Sequence, residues 1–479
     1  MMLSRPRRAI FDLILVLVLG LCVVGCSADR GQADAQCAAE NEACTADADC
    51  CAGLSCGDDG LCVAAGGEGE GEGEGEPEPP GELVQSAKSR VLSPDVTDDD
   101  LAELVGGNSS FAFDLYQEVR GEQGNVFYSP FSISIALAMT YAGARTETEQ
   151  QMAEALHFTL SQDELHPAFN ALDLELASRN REAAEGDDEG FRLNIVNRIW
   201  GRTGYTFLVE FLDVLAQNYG AGMSLLDFIA APDESRRIIN DWVADQTEDR
   251  IKDLLPSGSI SPATVLVLTN AIYFNAAWSE PFDENRTSDE VFHLLDGGEV
   301  TVPMMQQVAA FDYAAGDGYQ AVELPYEGNE LSMVIILPDA DRFEEFDGSL
   351  DAQTISGVVA SLGGRDVALS MPRFTFEWSK TLNDALSELG MPAAFTDADF
   401  SGINGVGGLF ISLVVHKAFV AVDEEGTEAA AATAVVVGES AAPEPEDPVE
   451  LDIDRPFVFL IRDIQTGTIL FLGRVVDPS

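Results

Sequence analysis

From about Leu83 onward, apolar positions recur first with helical spacing and then in strand-like runs. Ser129-Pro130 opens a run of Ile133, Ile135, Ala136, Leu137 and Met139, with proline at a tolerated first-turn position, which predicts a helix. Ile239, Trp242, Val243 and Ile251 mark one face among charged residues, predicting a helix over 238–255 that Pro256 ends. The Val-, Leu- and Ile-rich run from Thr264 to Phe274 predicts a buried strand, and so does Leu331 to Leu337, closed by Pro338. Phe457 to Arg462, a Thr466-Gly467 turn and Ile469 to Val475 predict a hairpin. Helices come early and strands dominate late, so residues 83–479 form a mixed α+β domain.

The first 82 residues follow none of these periods. Arg5, Arg7 and Arg8 precede an apolar run from Leu13 to Val24, the pattern of an export signal over residues 1–25. A membrane-spanning helix needs about 20 apolar residues, and Asp12 interrupts this shorter run upstream. Val23-Val24-Gly25-Cys26 resembles a bacterial lipobox, with Cys26 lipidated as the new N-terminus; bulky Leu21 makes Cys22 the poorer candidate. By the habit of such proteins, Ser27 permits sorting to the outer membrane or cell surface, with release into the medium as a further fate. An ordinary cleaved signal peptide is the alternative.

Residues 26–65 then form a cystine-rich module. Cys37, Cys44, Cys50, Cys51, Cys56 and Cys62 crowd into a stretch too short to bury a core, so paired cysteines must hold it. Six cysteines allow 15 pairings. The spacing resembles a cystine-knot miniprotein, which implies Cys37 with Cys51, Cys44 with Cys56 and Cys50 with Cys62. A Gly-Glu repeat from Gly66 through Glu76, ending in Pro77-Glu78-Pro79-Pro80, makes residues 66–82 an extended linker, because glycine denies structure and like charges repel.

Charge and candidate chemistry narrow the function. Lys and Arg total 26 against 83 Asp and Glu, a net charge of -57, which excludes nucleic acid and anionic head groups as partners of a basic face. No cysteine follows Cys62, so the large domain has no thiol nucleophile and no thiolate metal site. Its four histidines, His157, His166, His293 and His416, form no HExxH motif, and there is no Gly-x-Ser-x-Gly elbow. The glycines of Gly402 to Gly408 match neither a dinucleotide fingerprint nor a P-loop. Nothing here reads as an enzyme, and no cofactor or metal is implied.

The most informative stretch runs from Glu424 through Glu425, Gly426, Thr427, Glu428, Ala429, Ala430, Ala431 and Ala432 to Thr433. It follows a strand-like run, Ile411 to Val422, and precedes another at Leu451. Thr427, Ala429, Ala431, Thr433 and Val435 would share one face of a strand and enter a packed interior without burying charge. The prolines at 443, 445 and 448 lack donors and cannot join a sheet interior. The piece is therefore a loop whose first half is shaped to become a strand, unless it is an Ala-rich connection with no role.

Together with this stretch, several motifs resemble the serpin family. They are Asn125-Val-Phe-Tyr-Ser-Pro-Phe-Ser-Ile-Ser134, Thr269-Asn-Ala-Ile-Tyr-Phe-Asn-Ala-Ala-Trp278, Glu323-Leu-Pro-Tyr326, Met371-Pro-Arg-Phe374, His416-Lys417, Arg455-Pro-Phe-Val-Phe459 and Phe471-Leu-Gly-Arg-Val475. The resemblance spans about Phe111 to Pro478 and implies a serpin fold of three sheets, eight or nine helices and an exposed reactive-centre loop. It implies a monomeric inhibitor of serine proteases whose loop is cut, whose acyl-enzyme is trapped and whose hinge then inserts as a strand. It places Ser129, Ser132, Asn270 and His416 in a polar cluster where the strands part. Trp278 and an Arg373–Glu424 pair would stand where insertion starts. Counting from Glu424 puts the cut bond at Ser440-Ala441, within a window from Val437 to Ala442 that includes Glu439.

No Lys or Arg lies between Lys417 and Arg455, which excludes trypsin-like targets, and no aromatic lies between Phe419 and Phe457. Small residues suit the shallow pocket of an elastase- or subtilisin-like protease, while Glu439 leaves a glutamyl endopeptidase open. The competing reading is a non-inhibitory surface lipoprotein that binds a partner.

Overall fold

The computed structural model describes residues 54–56, 62–64, 81–180, 192–427 and 447–479. The chain divides into two compact units, Met1–Pro77 and Glu78–Ser479. In the first, strands β1 (Leu54–Cys56) and β2 (Cys62–Ala64) pair antiparallel, with Cys56 opposite Cys62 in the register. Cys26, Cys37, Cys44, Cys50 and Cys51 lie outside the described residues.

The second unit opens with β3 (Glu82–Val84), α1 (Asp98–Val119), β4 (Val126–Tyr128), α2 (Pro130–Tyr141), α3 (Thr146–Ala155) and α4 (Gln162–Ala177). Then come β5 (Arg192–Arg202), α5 (Val209–Tyr219), β6 (Met223–Leu226), α6 (Pro232–Gln246) and β7 (Leu266–Ala277). Five strands follow: β8 (Ser288–His293), β9 (Glu299–Gly316), β10 (Tyr319–Pro325), β11 (Leu331–Pro338) and, after the helices α7 (Phe343–Gly348) and α8 (Ala352–Ser361), β12 (Gly363–Pro372). The last part holds β13 (Phe374–Thr381), α9 (Asn383–Glu388), α10 (Ser401–Asn404), β14 (Ile411–Val422), β15 (Gly426–Thr427), β16 (Val449–Asp452), β17 (Phe457–Asp463) and β18 (Ile469–Val475). The expected elements at 130, 264, 331, 411, 451, 457 and 469 are all present.

The described residues of this unit hold two large sheets where the resemblance implies three. One has seven strands in the order β13-β14-β15-β7-β5-β6-β3, and the other has nine. The 18-residue β9 is the reason: one end pairs with β8, the other with β10, and β12 runs along it, so two layers merge through a single strand. The helix predicted over 238–255 is instead Pro232–Gln246, starting at Pro232 in its first turn. It ends early because Glu248 and Asp249 take positive φ, and Asn240 reaches across to bond both the N–H and C=O of Leu255. The residues to Leu255 thus fold back under the helix.

Strand alternation gives the seven-stranded sheet two different faces. Val196, Trp200, Val267, Ala271 and Val415 point to α6, packing on Ile239, Trp242 and Val243. Ile199, Leu268, Ile272, Val414 and Ala418 belong to the main core, as does α2, all twelve of whose residues are buried. Apolar on every side, α2 can only be an internal helix. Its N-terminus brings Ser129 and Ser132 under the middle of the sheet.

Candidate functional site

The centre of the seven-stranded sheet is a seam between two parallel strands. β14 and β7 pair from Ile411 with Leu266 up to Ala418 with Ile272, flanked by antiparallel partners β13 and β5. Above Ala418 the ladder stops and the strands part. In the gap sits β15, antiparallel to both: Thr427 is opposite Val422 on one side and Ala276 on the other, and Gly426 is opposite Ala277. Thr427 is buried, and a Cβ on Gly426 would meet the carbonyl oxygen of Ala276 at 2.2 Å, so only glycine fits this close approach.

Under the paired half of the seam lies a row of polar side chains. His416 on β14 is opposite Asn270 on β7, and Asn270 is opposite Asn197 on β5, so the registers set the three side by side. The N–H of Ser129 donates to Nε2 of His416 at 3.2 Å, so the ring proton must sit on Nδ1, which donates to Oδ1 of Asn270. The Asn270 amide then donates to Oγ of Ser132 and Oδ1 of Asn197. Ser129, as N-cap of α2, accepts from the N–H of Ser132 at 3.1 Å. Both ring nitrogens of His416 are thereby used in the neutral form. Burial holds its pKa down to about 3.

A second cluster grips the parted half. The ring of Trp278 stacks on Tyr326 at 4.7 Å, and its Nε1 donates to the carbonyl of Asp423 at 3.0 Å while its backbone N–H donates to Glu425. Glu424 is buried, pairs with Arg373 and accepts from the hydroxyl of Thr287. The carboxylate of Asp423 accepts from the N–H groups of Glu425 and Gly426, closing the turn that sends the chain back into the gap. Burial raises the Asp423 pKa above the ordinary range. The hydroxyl of Tyr326 bonds that of Thr427 at 2.7 Å.

So Ser129, Ser132, Asn270 and His416 meet at one place, and Trp278, Arg373, Glu424, Gly426 and Thr427 at another. Asn197, Thr287, Asp423 and Tyr326 belong to these clusters and were not foreseen. Asn197 carried no signal of its own, since Arg198 beside it is polar too, whereas Tyr326 closes the motif Glu323-Leu-Pro-Tyr326. Ala429 to Thr433 and the bond window, Val437, Glu439, Ser440 and Ala441, lie outside the described residues. Among the described residues no group of His, Cys, Asp or Glu could hold a metal ion, and no helix is long and apolar enough to cross a membrane.

Residues 106–478 match the family model described as serpin (serine protease inhibitor). The chain belongs to the serpin family. This serpin is 44% identical over 376 residues to an uncharacterised serpin-like protein of Thermococcus kodakarensis, covering 78% of this chain and 86% of that one. It is 41% identical over 395 residues to the leukocyte elastase inhibitor of Sus scrofa, covering 79% of this chain and all of the other. Among solved structures, the thermophilic serpin tengpin in its native state matches with a TM-score of 0.72 at 29% identity, over 82% of this chain and 100% of that chain. Human thyroxine-binding globulin complexed with its ligand matches with a TM-score of 0.70 at 28% identity, over 79% of this chain and 100% of that one. Chains of this fold thus include an elastase inhibitor and a thyroxine-binding globulin, so the fold alone does not fix the function.

Proposed function

We propose that this serpin inhibits serine endopeptidases as a suicide substrate. The observation that carries the reading is the seam: a strand-wide opening between β14 and β7 with the first hinge residues already in it. A protease cuts the loop within 437–442, and its serine is left esterified to the new C-terminus. The freed hinge continues from Thr427 into the seam. Insertion replaces one parallel pairing by two antiparallel ones, the more stable kind per residue. About 15 residues at roughly 3.3 Å each carry the bound protease on the order of 50 Å. If ten to fifteen new ladder bonds give a net ~1 kcal/mol each, insertion releases on the order of 10 kcal/mol. That rivals the stability of an ordinary domain, so the intact form is metastable and held by a kinetic barrier.

Small residues through the bond window favour an elastase- or subtilisin-like protease, and the likeness to a leukocyte elastase inhibitor supports this. The chain acts as a monomer, without catalysis of its own, cofactor or metal. We extend the reading to the N-terminus: export, lipidation at Cys26, a disulfide-held module over 26–65 and a linker over 66–82 would display the serpin domain, 83–479, at the cell surface. Incubation with elastase and with subtilisin, followed by a denaturing gel, tests the inhibitor. A covalent adduct larger than the serpin is expected. Clean loop cleavage with full protease activity would contradict it and favour a binding module.

A further inference from the structure

We infer that Tyr326 is a positioning residue: its hydroxyl holds Thr427 inside the sheet before any protease arrives, so that insertion starts from a strand end already formed. The inference rests on the proposed trapping reaction. Tyr326 is fully buried, stacked on Trp278 at 4.7 Å and edge-on to Phe274 at 5.1 Å, so its hydroxyl has no freedom to turn elsewhere. It is fixed along the backbone as well, its N–H bonded to Leu331 at 3.0 Å and its carbonyl to Asn329 at 2.9 Å. From this rigid mount it meets the hydroxyl of Thr427 at 2.7 Å. Both groups are buried, so each depends on the other for its hydrogen bond.

The contact fixes the one side chain of β15 that points inward. Trp278 holds the turn just before it, through Asp423 and Glu425, but touches no hinge side chain by hydrogen bond. Starting a new strand is the unfavourable step, whereas extending one adds a bond for each residue fixed. With Thr427 in place, the freed hinge has only to extend. Insertion races against hydrolysis of the acyl-enzyme, so a lost start shows as more inhibitor consumed per protease trapped.

Tyr326→Phe and Thr427→Val each remove one hydroxyl while keeping size and leaving the inserting face uncharged. Loss of one buried hydroxyl pair should slow insertion about fivefold, the equivalent of ~1 kcal/mol, and so raise the ratio of inhibitor cleaved to inhibitor trapped about fivefold in either variant. The double variant should go no further than the singles, because both remove the same bond. Hydrogen exchange on the uncleaved protein tests the latch without any protease. The Gly426 and Thr427 amides should be protected in the wild type and exchange several-fold faster in Tyr326→Phe. Unprotected amides in the wild type would overturn the inference, as would wild-type stoichiometry in both singles or effects that multiply in the double variant. If the wild type traps no protease, the proposed function fails, and the exchange result still decides the latch.

Discussion

Below Ala418 and Ile272 the two central strands are zipped together over hydrogen-bonded side chains; above them the same strands stand apart around Gly426 and Thr427. The lower half is closed by a chain of neutral donors and acceptors running from Ser129 through His416 and Asn270 to Ser132 and Asn197. The upper half is held open by backbone turns, aromatic rings and the Arg373–Glu424 pair. The difference teaches where the sheet opens. Separating the strands further down requires breaking the polar row, while the top is already separated. In the proposed insertion the row would be the barrier and the hinge the point of entry.

The largest effect should come from a charge at the point of entry. Thr427→Arg would carry a guanidinium into the space now occupied by a buried threonine hydroxyl, and an unpaired buried charge is prohibitive. The variant should lose the covalent adduct entirely and become a substrate, cut at the loop while the protease stays active on a chromogenic peptide. Retained trapping at unchanged stoichiometry would show that trapping does not need an uncharged side chain at position 427.

Next comes the barrier. His416→Ala strips partners from the buried N–H of Ser129 and from Asn270, and empties a ring-sized space. Orphaned polar groups cost about 1–3 kcal/mol and large-to-small changes in a core cost about 2–5 kcal/mol, so a loss of about 4 kcal/mol is expected. Denaturant unfolding of the intact protein would read it, and insertion of the uncut hinge into the seam on warming should speed up.

Acid should act on the two halves with opposite signs. The His416 pKa is lowered to about 3, and that of His166, buried beside Tyr219, to about 4, so the folded state holds both rings neutral. Their contribution is fully present above the unfolded value of about 6.5 and is lost as pH falls from there toward 3 for His416 and 4 for His166. At 1.4 kcal/mol per pH unit, His416 alone should cost about 3 kcal/mol by pH 4. Asp423 goes the other way: its raised pKa makes the folded state bind a proton more readily, so the upper turn gains as pH falls. Protection factors, which correct for the slower intrinsic exchange in acid, should therefore fall from pH 7 to pH 4.5 more at β14 and β7 below Ala418 than at Gly426.

Much of this arrangement was legible in the chain. β14 begins at Ile411 and ends at Val422 as the run of apolar residues predicts, because a buried strand needs little beyond continuous hydrophobicity. Thr427, Trp278 and His416 could be singled out because the family's motifs surround them. Asn197 lies in none of those motifs, and although Tyr326 ends one, nothing in the chain linked it to Thr427. Asn197 joins the row only because β5 pairs with β7 in a register that sets it opposite Asn270, and Tyr326 reaches Thr427 from a turn 101 residues away. The end of α6 was misplaced for a similar reason, since Asn240 and the positive φ values at Glu248 and Asp249 turn the chain where the apolar period continues.

The most direct measurement compares melting of the intact serpin with that of protein nicked once between Val437 and Ala442. Stored folding energy predicts a nicked form that melts far higher, by tens of degrees, since its hinge has filled the seam. Superimposable curves would mean that cutting the loop releases nothing, and the spring on which trapping depends would not exist.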